Sequence, residues 1–460
     1  MAVELNVEIW ARQQFGTCEL GDARRTARAV KMAAQFAAHP SGSTPEQTES
    51  WSDCKAAYHR LNSEEVTFAA LAGPHYKQTK ARSSGHYLLL GDTTTVSFDG
   101  DRQITGLGIV SSGTAHGYLL HSSLMVDADR ETIIGLAGQS IHYRQPVPKQ
   151  EKRSERQHRF RESEIWGDVI QQVGAPQESA RFTHVFDRGA DNFEVYCHLL
   201  QQQTDWVIRA AQLTRLVTTP SGETMQLRNH LAMLSVAGTY RLEVPANAKQ
   251  TARTATVAVR FGTVGIQRPR NCGHYGRSCG ICFITMNVVE VLELNPPRGQ
   301  SPLHWVLLTS HHVATFADAW MVIGFYEKRP LIEEFHKALK TGCSLEARLY
   351  ETAHPWETVT AFLSIVAVRL LQLKTVAKAE PDRPAEEVVP RKWIRMLSAV
   401  KRGKHKNIRT VRDFMRGLAG LGGHLGRKND GEPGWITLWR GFRKLHLLIR
   451  GHEAMNRRCG

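Results

Sequence analysis

The sequence predicts an α/β protein, a mixed sheet flanked by helices with helical regions at both ends. Three observations lead there. Apolar residues recur at helical spacing before residue 70 and again after residue 314. From His86 the apolar period changes to two. A strand–helix–strand pattern then follows in RFTHVFDRG, NFEVYCHLLQQQ and DWVIRAA. With 460 residues, 42% of them hydrophobic, the chain can bury a sizeable core in about two to four domains.

Residues 1–70 read as a helical domain. Asp22 is placed to cap ARRTARAVKMAAQFAAHP, where Val30, Ala33, Ala34 and Ala37 share a face and Pro40 ends the helix. Ser52 to Leu61 reads as a second helix, and Ser63 as the cap of a third. Residues 71–379 read as the sheet domain. HYLLLGDTTTVSFD, GYLLHSSLMVDAD and ETIIGLAGQSIHY are strands, and SERQHRFRESEIWGDVIQQVG is a helix. A β-rich insertion occupies about 212–303, with strands in YRLEVPA, ATVAVRFGTV and ICFITMNVVEVLEL, closed by Pro296-Pro297. WVLLTS returns as a strand. One long helical segment runs from about Ala314 to Lys340 and another from about Trp356 to Ala379. Residues 380–460 read as a helical domain broken by glycine-rich loops between Gly417 and Gly426.

Composition excludes several classes. Aromatic and branched residues are too frequent for a disordered chain. The most apolar run, Ala361 to Val368, ends at Arg369 and falls short of the roughly 18 residues of a spanning helix. The start, MAVELNVEIWARQQ, lacks the pattern of a signal peptide. Eight cysteines are too sparse for a disulfide scaffold, so a reduced, cytoplasmic protein is expected. The net charge is +15, and it is uneven. Residues 391–460 hold 18 Lys plus Arg against 4 Asp plus Glu, a net of +14. Such a block fits a polyanion, most simply DNA. Residues 1–70 carry 7 basic and 9 acidic residues, so DNA contacts there must come from placed side chains.

Three acids stand out. Asp92 follows an apolar strand, Asp187 ends the strand THVF, and Glu333 lies on the helix PLIEEFHKALK. Carboxylate oxygens suit hard cations such as Mg²⁺, and two such ions serve phosphodiester displacement. At about 100° per residue, Tyr326, Arg329, Glu333 and Lys340 fall within about 60° of one another on a continuous helix. Pro330 qualifies that reading, because it either opens the helix or kinks it. Leu331, Phe335 and Leu339 form a separate, core-facing row.

These residues resemble the DDE transposases of the insertion-sequence-four family. The resemblance rests on Tyr326-x2-Arg329-x3-Glu333-x6-Lys340, on IEEFHKALKTG, on GDTTTVSF around Asp92 and on DRGAD around Asp187. It extends to GDARRTARAVKMAAQ near the start and GRKNDGEPGWITLWRGFRKL near the end. It implies a ribonuclease-H-like catalytic core and two Mg²⁺ ions, replaceable by Mn²⁺, held by Asp92, Asp187 and Glu333. It implies cut-and-paste transposition: nicking, hairpin formation, hairpin opening, then joining of the 3′ ends to target DNA. The implied partners are double-stranded DNA and a second copy of the chain in a synaptic complex, in the bacterial cytosol or nucleoid and without a membrane.

The resemblance also assigns DNA contacts. Trp305 matches a tryptophan that stacks on a flipped base, although a core position on its strand is the alternative. Arg209 matches a DNA-contacting arginine. Tyr326, Arg329 and Lys340 would hold phosphates, with Lys337 assisting, and Arg24, Arg25 and Arg28 match the end-recognition helix. Cys272, His274, Cys279 and Cys282 form C-x-H-x4-C-x2-C, readable as a zinc set or, preferably, as free thiols in a loop. The alternative functions are a catalytically silent DNA-binding regulator and a nuclease that cuts without joining.

Overall fold

The computed structural model describes residues 7–98, 104–110, 115–144, 150, 161–244, 252–400, 407–427 and 433–456. The chain begins with helices α1 (Val7–Phe15), α2 (Ala23–Ala38), α3 (Thr44–Gln47), α4 (Trp51–Leu61) and α5 (Phe68–Lys80). Asp22 caps α2 as expected, its carboxylate accepting from the Arg24 N–H. Ser63 is not the third cap. It sits in the turn after α4 and bonds Glu65, while Thr67 caps α5 by accepting from the Ala70 N–H.

The sheet contains β1 (Ser84–Phe98), β2 (Gly108–Ile109), β3 (His116–Asp127), β4 (Ile133–His142), β5 (Ser179–Phe186), β6 (Asp205–Arg209), β7 (Leu216–Thr218), β8 (Thr224–Gln226), β9 (Gly238–Val244), β10 (Arg253–Gln267), β11 (Phe283–Leu294) and β12 (His304–Thr309). Helices α6 (Glu164–Val173) and α7 (Phe193–Gln201) connect the strands of its first half. Residues 154–160, which the sequence placed in the first of these helices, lie outside the described residues. The insertion adds α8 (Leu227–Met233) and α9 (His274–Ser278). After β12 come α10 (Phe316–Glu327), α11 (Pro330–Lys337), α12 (Ala353–Ala379), α13 (Arg391–Val400), α14 (Val411–Leu421) and α15 (Trp435–Asn456).

All twelve strands form one sheet, in the order β2-β3-β1-β5-β6-β12-β11-β10-β7-β8, with β4 on β3 and β9 on β10. Strand β1 runs antiparallel to β3 and parallel to β5, and β5 runs parallel to β6. This is the mixed, ribonuclease-H-like sheet. The insertion does not form a separate barrel. Because β12 pairs with β6 on one side and β11 on the other, the insertion extends the same sheet.

Helix α12 is the central core helix. By length and composition Ala353–Val376 matches a membrane span, longer than the sequence reading allowed, yet 72% of its most apolar window is buried inside the fold. It packs on α5, β4, α2 and α11. Its Trp356, Phe362 and Leu371 are fully buried. At about 25 cal/mol per Å² of apolar surface, such burial dominates the stability of the centre. The C-terminal helices have a small core of their own, including Trp393, Phe414, Leu418 and Leu445. Gly417 and Gly420, read from sequence as loop, lie within α14, and the loop begins at Gly422.

Candidate active site at the strand ends

The register of β1 and β5 brings two of the acids together. Leu90 pairs with Val185 in parallel, so Asp92 and Asp187 each stand two residues beyond the paired position on adjacent strands. Gly91 is required here, because a Cβ would meet the Phe186 ring at 2.3 Å. Asp187 also starts a short turn, its carboxylate accepting from the Gly189 N–H at 2.8 Å.

The third acid arrives on α11, against the face of β1 that carries Asp92. The expected continuous helix is broken. Helix α10 ends at Glu327, Lys328 and Arg329 form a turn that keeps right-handed helical dihedrals, and Pro330 takes the first position of α11, where its missing N–H is not needed. Phe335 and Leu339 are buried and Leu331 is half-buried, as the core row requires. Arg329, at the junction, bonds Asp92 at 3.3 Å and also Glu333. Burial disfavours the Arg329 charge, but Asp92, Glu333, Tyr326 and Asp187 raise its pKa all the same. The Asp92 pKa is pushed up, first by burial and then by Asp187 and Glu333, against the lowering effect of Arg329. The three carboxylates therefore repel one another around one guanidinium. Among the described residues no three side chains already stand as a ready metal-binding group.

The remaining residues divide. Tyr326 is buried beside Arg329, with Trp305 edge-on to its ring at 5.6 Å. Trp305 is half-buried on β12, so neither a free stacking platform nor a sealed core position describes it fully. Arg209, on neighbouring β6, donates to the His304 carbonyl at 2.9 Å. Lys340 lies beyond α11 in a π-turn, Ala338–Gly342, and therefore leaves the face expected of a straight helix. It bonds the Thr95 carbonyl at 2.8 Å and Glu346 at 2.9 Å. Glu346 carried no sequence signal for this pairing. Lys337 is exposed.

In the N-terminal domain Arg24 is 94% exposed, within 3.6 Å of Asp22. Arg25 pairs with Glu65 at 2.9 Å and Arg28 with Asp53 at 2.6 Å. Among the described residues Cys272, His274, Cys279 and Cys282 do not gather into a metal-binding group, which leaves the zinc alternative to the preferred free thiols without a site. Cys272 is buried, Cys279 half-buried, and His274 and Cys282 exposed, in the loop joining β10 to β11. The nearest sulfur partner of Cys279 is Cys197 on α7, at 3.2 Å.

Two family models match the chain. One, described as Transposase DNA-binding, covers residues 7–66. The other, described as the Transposase Tn5 dimerisation domain, covers residues 365–458 and so begins inside α12. Together they support a Tn5-like transposase that binds DNA and dimerises.

Proposed function

We propose that the chain is a Mg²⁺-dependent cut-and-paste DNA transposase with Asp92, Asp187 and Glu333 as its catalytic carboxylates. The observation that carries this reading is the meeting of Asp92 and Glu333 on Arg329, with Asp187 level with Asp92 at the ends of β1 and β5. Mutually repelling carboxylates with hard oxygen donors fit divalent magnesium. Bound there, two ions would supply activation of the attacking oxygen and neutralisation of the leaving one.

The chain's own residues position the DNA. Arg329 exchanges its carboxylate partners for a phosphate, a planar match for two oxygens. Glu333 and Asp92 are thereby released. Tyr326 holds Arg329 and Trp305 in place, and Trp305 offers its ring to a displaced base near the cleaved end. Lys340 fixes β1 three residues beyond Asp92. Lys337 and Arg209 extend the phosphate contacts, and Arg24, Arg25 and Arg28 engage the transposon end within a domain spanning 1–70. The catalytic domain spans 71–379, and a dimerisation domain spans 380–460. The reaction proceeds by nicking, hairpin formation and joining, in the bacterial cytosol.

The test is excision and strand transfer on a linear DNA flanked by the element's terminal repeats, with Mg²⁺. Nicked, hairpin and joined products are expected. End binding without any cleavage would identify a silent regulator, and cleavage without joining a nuclease.

A further inference from the structure

We propose that Cys197 and Cys279 are an oxidisable thiol pair that closes to a disulfide, stapling the β10–β11 loop to α7. The loop is built to dock on that helix. Cys279 Sγ lies 3.2 Å from Cys197 Sγ. Tyr275 stacks on His198, with ring centroids 3.6 Å apart and planes 3° apart, and its hydroxyl donates to Gln201. The Gly273 N–H donates to Glu194, and a Cβ on Gly273 would collide with that carboxylate. Glu194, Cys197, His198 and Gln201 stand at positions i, i+3, i+4 and i+7, a single helical face. That face receives the loop, with His198 held from the other side by Gln171 of α6, and the thiol pair lies at its middle.

Exposure sets the order of events. Cys197 is fully buried and burial pushes its pKa well up, so it stays a thiol. Cys279 is half-buried and reaches solvent. Hydrogen peroxide oxidises the Cys279 thiol to a sulfenic acid, releasing water. The Cys197 sulfur then bonds to that sulfur while its proton passes to the departing hydroxide, so that a second water leaves and the S–S bond forms. The sulfurs need approach by only about 1 Å to reach bonding distance. A low-molecular-weight dithiol reverses the step by exchange. The bridge ties together residues 82 apart in sequence, and α7 starts six residues after Asp187.

The test treats the full-length protein with limiting hydrogen peroxide, alkylates the remaining thiols, and maps tryptic peptides without reduction. Arg270 and Arg277 are exposed, so trypsin separates the loop from the core. The expected result is a linked pair containing Cys197 and Cys279, lighter by two hydrogens, absent after dithiothreitol. Cys282→Ser retains it, and Cys279→Ala loses it while keeping a wild-type circular dichroism spectrum. Cys197→Ser also loses it, but its buried site makes Cys279→Ala the decisive variant. A link from Cys279 to Cys272 or Cys282, overoxidation of Cys279 with no link, or zinc in the purified protein shielding the thiols would overturn the proposal.

Discussion

Arg329 touches two of the three carboxylates at once, and its removal is the most informative single change at the site. Arg329→Ala leaves Asp92, Asp187 and Glu333 repelling one another without a compensating charge. In metal-free buffer the variant is expected to lose roughly 1–3 kcal/mol of stability. Added Mg²⁺ should return much of that loss, because the same carboxylates then share a cation. Chemical denaturation with and without Mg²⁺ checks this, and an equal deficit in both would contradict a shared cation site. Asp92→Ala, Asp187→Ala and Glu333→Ala are each expected to abolish nicking and joining while retaining end binding, since DNA affinity comes mainly from cationic contacts. A mutant that cleaved near the wild-type rate would remove its residue from the catalytic set. In the N-terminal domain, hydrogen bonds from Lys31 and then Arg28 hold the Asp53 carboxyl down to about 2. Its depressed pKa gives stability above the ordinary value of about 4, lost as pH falls through about 2. Asp53→Asn should therefore destabilise the joint between α2 and α4 at neutral pH, with the difference from wild type shrinking as acid is added. A difference constant down to pH 2 would point to packing instead.

Elements decide which of these residues can meet, and here the sequence was legible in part. The motif from Tyr326 to Glu333 was readable because its residues are local. Its geometry was not, since Pro330 allowed two outcomes and only the packing of α11 on β1 selects the helix start. After α11, a π-turn moves Lys340 off the helical face and gives it Glu346, a partner that helical spacing could not indicate. Asp92 and Asp187 were readable as strand ends, but their shared level depends on the register of two strands about 90 residues apart in sequence. Cys197 was invisible for the same reason, because nothing local ties it to Cys279. Strands β6 and β12 yield a further prediction. Trp305 leans on Tyr326, so it is partly anchored and partly available. Trp305→Ala should slow hairpin formation more than first-strand nicking, because the hairpin requires a displaced base in a sharply bent strand. Time courses resolving both products check this, and equal slowing would make Trp305 a packing residue.

At the scale of the whole molecule the charge lies at one end, and it bears on assembly. At roughly helical spacing, Trp435, Trp439, Phe442, Leu445 and Leu448 are the apolar anchors that the sequence of α15 offers. Leu445 is instead spent inside its own subunit, packed with Trp393 and Phe414, and Phe442 is half-buried against Trp393. The side chains of Trp435 and Trp439 lie outside the described ones. Among the described side chains, the large apolar ones that α15 exposes are Leu447, Leu448 and Met455, at 56%, 38% and 70%. These side chains are available to meet a second copy of the chain once the charge between the copies is neutralised. Around them Arg443, Lys444 and Arg450 are exposed, within the last 70 residues of the chain, which carry a net charge of +14. Two copies of this end repel, most strongly at low salt, where the screening length grows beyond about 10 Å. DNA phosphates remove that repulsion. The DNA-free protein is therefore expected to be mainly monomeric, and terminal-repeat DNA to drive it to a dimer. Leu448→Asp together with Met455→Asp should abolish the DNA-dependent dimer while leaving one-end binding intact. Light scattering across a salt series, with and without DNA, provides the measurement. A stable dimer in low salt without DNA would mean that apolar contact outweighs the charge, and the account of assembly would have to start from those side chains instead.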